Sequence, residues 1–135
     1  MPANGDSSVT FSERKLGVTR DITATVTFDS GDGSFTPTAL PAGWEGRLVA
    51  IRTNPDGTTA PTDQYDITLV DADGVDRLQG VGANRATATS EEAPVVYSGT
   101  SISPPCVRGE TLTLTIANNS VHSAVTVIRL VFAPV

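Results

Sequence analysis

Ile22-Thr23-Ala24-Thr25-Val26-Thr27-Phe28 alternates apolar side chains with threonine, and the pattern returns in Thr111-Leu112-Thr113-Leu114-Thr115-Ile116 and in Ala124-Val125-Thr126-Val127-Ile128-Arg129-Leu130-Val131-Phe132. A period of two sends one side chain of each pair toward a core and the next toward water, which only a β-strand does. The chain is therefore built of sheet. Outward from the first strand, Asp29-Ser30-Gly31-Asp32-Gly33-Ser34 is a loop, because these residues tolerate positive φ and hydrogen-bond their own backbone. Phe35–Gly46 carries Pro37 and Pro41 and reads as a crossing segment anchored by Trp44. Arg47–Thr53 is apolar on both faces, with Leu48 and Ala50 on one and Val49 and Ile51 on the other, so it is expected at the centre of a sheet.

Asn54-Pro55-Asp56-Gly57 has the composition of a type I turn. Tyr65, Ile67 and Leu69 share one face of the next strand, and Asp71-Ala72-Asp73-Gly74 reverses the chain into a short return strand, Val75–Leu78. Gly80 to Ala93 lacks periodicity and reads as an exposed loop suited to contacts. Val95-Val96-Tyr97 follows as a short strand, and Ser103-Pro104-Pro105-Cys106 interrupts regular structure. Thr111–Ile116 and Val121–Phe132 are expected to pair as a hairpin through Ala117-Asn118-Asn119-Ser120. Together these elements predict one all-β domain over residues 21–135, an antiparallel β-sandwich or flattened, jelly-roll-like β-barrel, preceded by an extended N-terminal arm over residues 1–20.

The chain has 135 residues, long enough for an independent core, and a formal net charge of −6. Phosphate backbones are bound through clustered Lys and Arg, so nucleic acid is not an expected partner. Arg14, Lys15 and Arg20 make the one local basic group, read as a solvated or partner-facing feature of the arm. No apolar run is long enough to span a membrane, and the start Met1-Pro2-Ala3-Asn4-Gly5-Asp6 has neither the positive end nor the apolar stretch of a signal peptide. Synthesis in the cytoplasm is expected, and the Asn118-Asn119-Ser120 glycosylation triplet is expected to go unused.

Chemistry is scarce. One Cys (Cys106) excludes an internal disulfide, and pairing it with the lone His122 gives a dyad without an orienting third group. The loop aspartates and Glu91-Glu92 sit where solvation accounts for them, so no enzyme is expected. Asp71, Asp73 and Asp76 have a calcium loop as their alternative use, but their spacing departs from that of an EF-hand. They are read as turn formers, and no cofactor is expected.

The run Thr53-Asn54-Pro55-Asp56-Gly57, the segment from Ala60-Pro61-Thr62-Asp63-Gln64-Tyr65 to Asp71-Ala72-Asp73-Gly74-Val75-Asp76, and Gly82-Ala83-Asn84-Arg85 resemble a group of small proteins encoded among tailed-bacteriophage virion genes. The closing pattern of Thr111–Ile116, Asn118-Asn119-Ser120 and a Val-rich last strand is similar too. The resemblance implies a virion structural protein, in first place a capsid decoration (cement) protein. Such a protein is made in the host bacterial cytoplasm, binds the major capsid protein on the outer surface of the head, stabilises it and self-associates as a homotrimer. Its expected contacts are the arm, the Asp71–Asp76 turn and the 80–93 loop, through Phe11, Arg14, Lys15, Arg20, Asp73, Asn84 and Arg85. The alternatives are another virion part (tail, head-completion or spike protein) and a carbohydrate-binding β-sandwich module, which would need Trp44, Tyr65 or Tyr97 exposed beside polar loops.

Overall fold

A computed structural model describes residues 7–41, 45–95, 106–108 and 111–134. The described residues form nine strands and no helix: β1 (Ser8–Leu16), β2 (Thr19–Thr27), β3 (Thr38–Ala39), β4 (Glu45–Pro55), β5 (Asp66–Val70), β6 (Glu91–Pro94), β7 (Cys106–Arg108), β8 (Thr113–Ala117) and β9 (Val125–Ala133). They make two antiparallel sheets and no closed barrel. The larger, six-stranded sheet runs β1-β2-β9-β4, with β6 and β7 sharing the far edge of β4; the smaller runs β3-β8-β5. This is the expected β-sandwich.

Alternation explains the core. Ile22, Ala24 and Val26 of β2 pair with Leu130, Ile128 and Thr126 of β9, and all six are fully buried. From the smaller sheet, Ile67 and Leu69 of β5 pair with Ile116 and Leu114 of β8 and face the same interior. Each such side chain taken from water contributes roughly 1.5–3 kcal/mol. Tyr65, Phe28 and Phe132 are the bulkiest buried residues, and Phe28 meets Phe35 edge to face at 6.2 Å between ring centres. The inward threonine of β9 is matched across the sandwich: Thr126 Oγ1 lies 2.9 Å from the Tyr65 hydroxyl.

The expected last hairpin does not form. β8 and β9 belong to different sheets, so residues 118–124 arch over the end of the core. Two strands with one apolar face each bury it equally well side by side or face to face, and the connection decides between them. Here Asn119 holds the arch open. Its Oδ1 accepts from the backbone N–H of Thr62 (2.8 Å) and Val121 (3.1 Å), and its Nδ2 donates to the carbonyls of Gly33 (2.8 Å) and Val121 (3.1 Å). Gly33 takes φ +77°, and a Cβ there would sit 2.9 Å from the Ser120 backbone, so this close approach requires glycine.

Other expectations shift by shorter distances. Ser8–Leu16 of the expected arm is an edge strand, paired along its whole length with Thr27–Thr19. β4 is central as expected, but a bulge between Leu48 and Ala50 changes its parity, so that Leu48 and Ile51 both point inward. The 54–57 turn moves one step on: Pro55 still pairs with Thr126, and Asp56 Oδ2 accepts from Thr58 N (3.0 Å) and Thr59 N (2.8 Å). Those two donors, Thr59 first, hold the Asp56 carboxyl below its ordinary value.

Val75–Leu78 is a series of turns with a single bridge, Val70 to Asp76, in place of a return strand. β6 lies just upstream of the strand expected at Val95-Val96-Tyr97, of which Val95 is buried and donates to Val49 O at 2.9 Å, while Val96 and Tyr97 lie outside the described residues. Within Phe35–Gly46, Phe35 and Leu40 are buried and β3 pairs with β8; Trp44 lies outside the described residues. So do residues 1–6, Ser103–Pro105 and the side chain of Cys106.

Candidate functional site

The register of the larger sheet maps its outer face residue by residue. One row crosses every strand position: Ser12 on β1, Thr23 on β2, Arg129 on β9, Arg52 on β4 and Glu92 on β6. The next reads Thr10, Thr25, Val127 and Asn54, and the row on the other side reads Arg14, Asp21, Val131 and Ala50. β9 thus presents Val125, Val127, Arg129 and Val131 away from the core, each half-buried between its neighbours. An outward-facing strand on a two-layer sandwich ordinarily reads polar. This one carries valines, with threonine and serine beside it on β1 and β2.

Both signs of charge stand on the same face. Arg14, Arg129, Arg52 and Arg47 stand there with Asp21 and Glu92, on a chain whose net charge is −6. Arg14 pairs with Asp21 at 3.3 Å and Arg52 with Glu92 at 3.0 Å. Beside the second pair a shallow cleft of about 310 Å³ opens between β9, β4 and β6, lined in part by Arg129, Arg52, Asn54 and Ser90. Asn54 Oδ1 accepts from Ser90 Oγ at 2.9 Å, and Glu91 is turned to Ala86 N (2.7 Å) and Arg85 (3.6 Å). Arg129 has no such partner: its Nε is covered by protein with no acceptor within reach.

The residues expected to make contacts do not form one patch. Phe11, Arg14, Lys15 and Arg20 lie on the β1–β2 hairpin at one edge of the larger sheet. Phe11 leans on the core, Arg14 and Lys15 are exposed, and Arg20 reaches Glu13 at 2.8 Å. Asp73, Asn84 and Arg85 lie around β5, next to the opposite edge. Asp73 N donates to Asp71 Oδ1 (2.9 Å), and Asn84, at φ +58°, donates its N–H to Asp66 Oδ1 (2.8 Å). Arg85 bridges to Tyr65 through the backbone and lays its guanidinium on Ala83 O at 3.0 Å. Arg52 and Arg129 went unmarked in the sequence because only register shows that they are neighbours.

In the Asp71–Asp76 turn, the carboxylates of Asp71 and Asp76 are engaged by the chain itself. Asp71 Oδ1 accepts from Asp73 N and Val75 N (3.0 Å); Asp76 Oδ1 accepts from Leu69 N (3.1 Å) and Leu78 N (3.0 Å), and its Oδ2 from Gly80 N (3.0 Å). Tyr65, a candidate sugar platform, is fully buried, and burial pushes its hydroxyl pKa up. His122 is exposed in the arch between β8 and β9. Among the described residues no helix is long and apolar enough to cross a membrane. No protein-family model, curated protein or solved structure matches the chain.

Proposed function

We propose that the protein is a non-enzymatic structural protein of a tailed-phage virion, a capsid decoration protein that docks on the major capsid protein and stabilises the head. The observation that supports this reading is the outer face of the six-stranded sheet, with threonine and serine on β1 and β2 and half-buried valines and an arginine along its central strand. Such a face suits contact with a protein surface repeated many times over a shell, where a modest contact per copy becomes strong through multivalency. Self-association as a trimer would raise that effect further. The acidic remainder of the chain fits the outside of a shell filled with DNA.

The test is the mass of the protein in solution, followed by co-sedimentation with phage shells prepared without it. A trimer that saturates the shells supports the reading. A monomer indifferent to them overturns it and moves attention to tail assemblies.

A further inference from the structure

The strongest unexplained feature is the pairing of like charges at the cleft. Arg52 and Arg129 are directly opposed across β4 and β9, an arrangement that costs stability in a sheet. Glu91 and Glu92 also line the cleft, but Glu92 lies 3.0 Å from Arg52 and Glu91 takes Ala86 N and Arg85, so three guanidinium groups stand against two carboxylates and Arg129 is the cation in excess. Half-buried beside Val127, and with its Nε desolvated and without an acceptor, Arg129 stands among the described residues as a cation awaiting an anion.

We propose that the cleft beside Arg129 receives the carboxylate of an aspartate or glutamate on the surface of a partner protein. With Nε covered, the carboxylate meets the guanidinium end-on, across its two terminal nitrogens, a fork geometry that matches two carboxylate oxygens. Val127 provides an apolar contact for the methylene carbons of the acidic side chain, and Asn54 and Ser90 form the polar rim together with the ion-paired Glu91 and Glu92. Among the lining residues there is no aromatic ring on which a sugar would stack, which favours an acidic side chain over an acidic glycan. The inference rests on reading the outer face as a docking surface and names the chemistry its partner must supply.

The experiment uses the full chain and small probes, so it reads the cleft without any capsid. The Nε–Hε NMR signal of Arg129 is followed during titration with N-acetyl-glutamate α-amide, with N-acetyl-glutamine amide and with glucuronate at constant ionic strength. The expected result is a saturable shift with the glutamate probe and none with its neutral isostere. Arg129→Gln should weaken the response of the Val127 and Asn54 amides about tenfold, and Arg129→Lys should recover only part of it. Absence of a saturable shift, or an equal shift with the glutamine probe, overturns the site. Glucuronate binding tenfold tighter than the glutamate probe overturns the protein-side-chain assignment. A cleft that takes the probe while the protein ignores shells would sink the capsid reading alone.

Discussion

Arg52 and Arg129 stand directly opposite one another on the outer face of the six-stranded sheet, and only Arg52 has a carboxylate, Glu92 at 3.0 Å. A sandwich selected for stability alone would not place two cations there. Replacing Arg129 by valine, which suits a strand and matches its neighbours Val127 and Val131, should raise stability by about 0.5–1 kcal/mol. Urea unfolding measures it. A loss of stability in Arg129→Val would show that the arginine is held by partners within the chain.

Tyr65 and Thr126 form the buried polar link between the two sheets, at 2.9 Å. Tyr65→Phe strands the threonine hydroxyl in the core and should cost about 1–2 kcal/mol, whereas adding Thr126→Val should recover much of that loss. The same pair gives a pH dependence. Burial raises the Tyr65 pKa above its ordinary 10.0, so the neutral form is favoured by folding. The associated stability is complete below the unfolded value and lost as pH rises from there through the folded one. Tyr65→Phe should remove this alkaline loss, read as unfolding free energy against pH.

Asp76 accepts three backbone N–H groups, those of Leu69, Leu78 and Gly80. Asp76→Ala should destabilise by about 2 kcal/mol, equally with calcium or with a chelator, because the carboxylate serves the turn. A calcium-dependent difference in thermal unfolding would contradict this.

Gly82 lies flat against β5, where Ile67 N donates to its carbonyl at 2.8 Å and an added Cβ would stand 2.2 Å from Ile67 O. Gly82→Ala should cost about 2 kcal/mol or more, since the clash is with backbone that cannot rotate away. Gly57→Ala, with nothing near its Cβ position, should be near neutral and is the control for the unfolding measurement.

Alternation made the sandwich legible: the inward sets of β2, β5 and β8 were readable as apolar residues separated by threonine, and that of β9 as Ile128, Leu130 and Phe132 at every second position. It could not tell a hairpin from an arch, because β8 and β9 bury the same faces either way and Asn119 acts through residues far along the chain. β6 escaped because Glu91-Glu92-Ala93-Pro94 has the composition of a loop; an edge position tolerates both its charges and its proline. The β4 bulge reversed a face assignment that strict alternation had made. The arginine pair was hidden for a related reason. Arg52 and Arg129 are far apart in sequence, and only the strand order β9-β4 makes them neighbours.

The central claim is that the outer face of the larger sheet is the surface that docks. It is tested most directly by co-sedimentation of the wild-type protein, Val127→Glu and Arg129→Glu with phage shells lacking a decoration protein, each variant first checked for cooperative unfolding. The prediction is saturable binding by the wild type and at least about tenfold weaker binding by both folded variants. Wild-type protein that leaves the shells bare, or variants that bind as well as it does, would contradict the account.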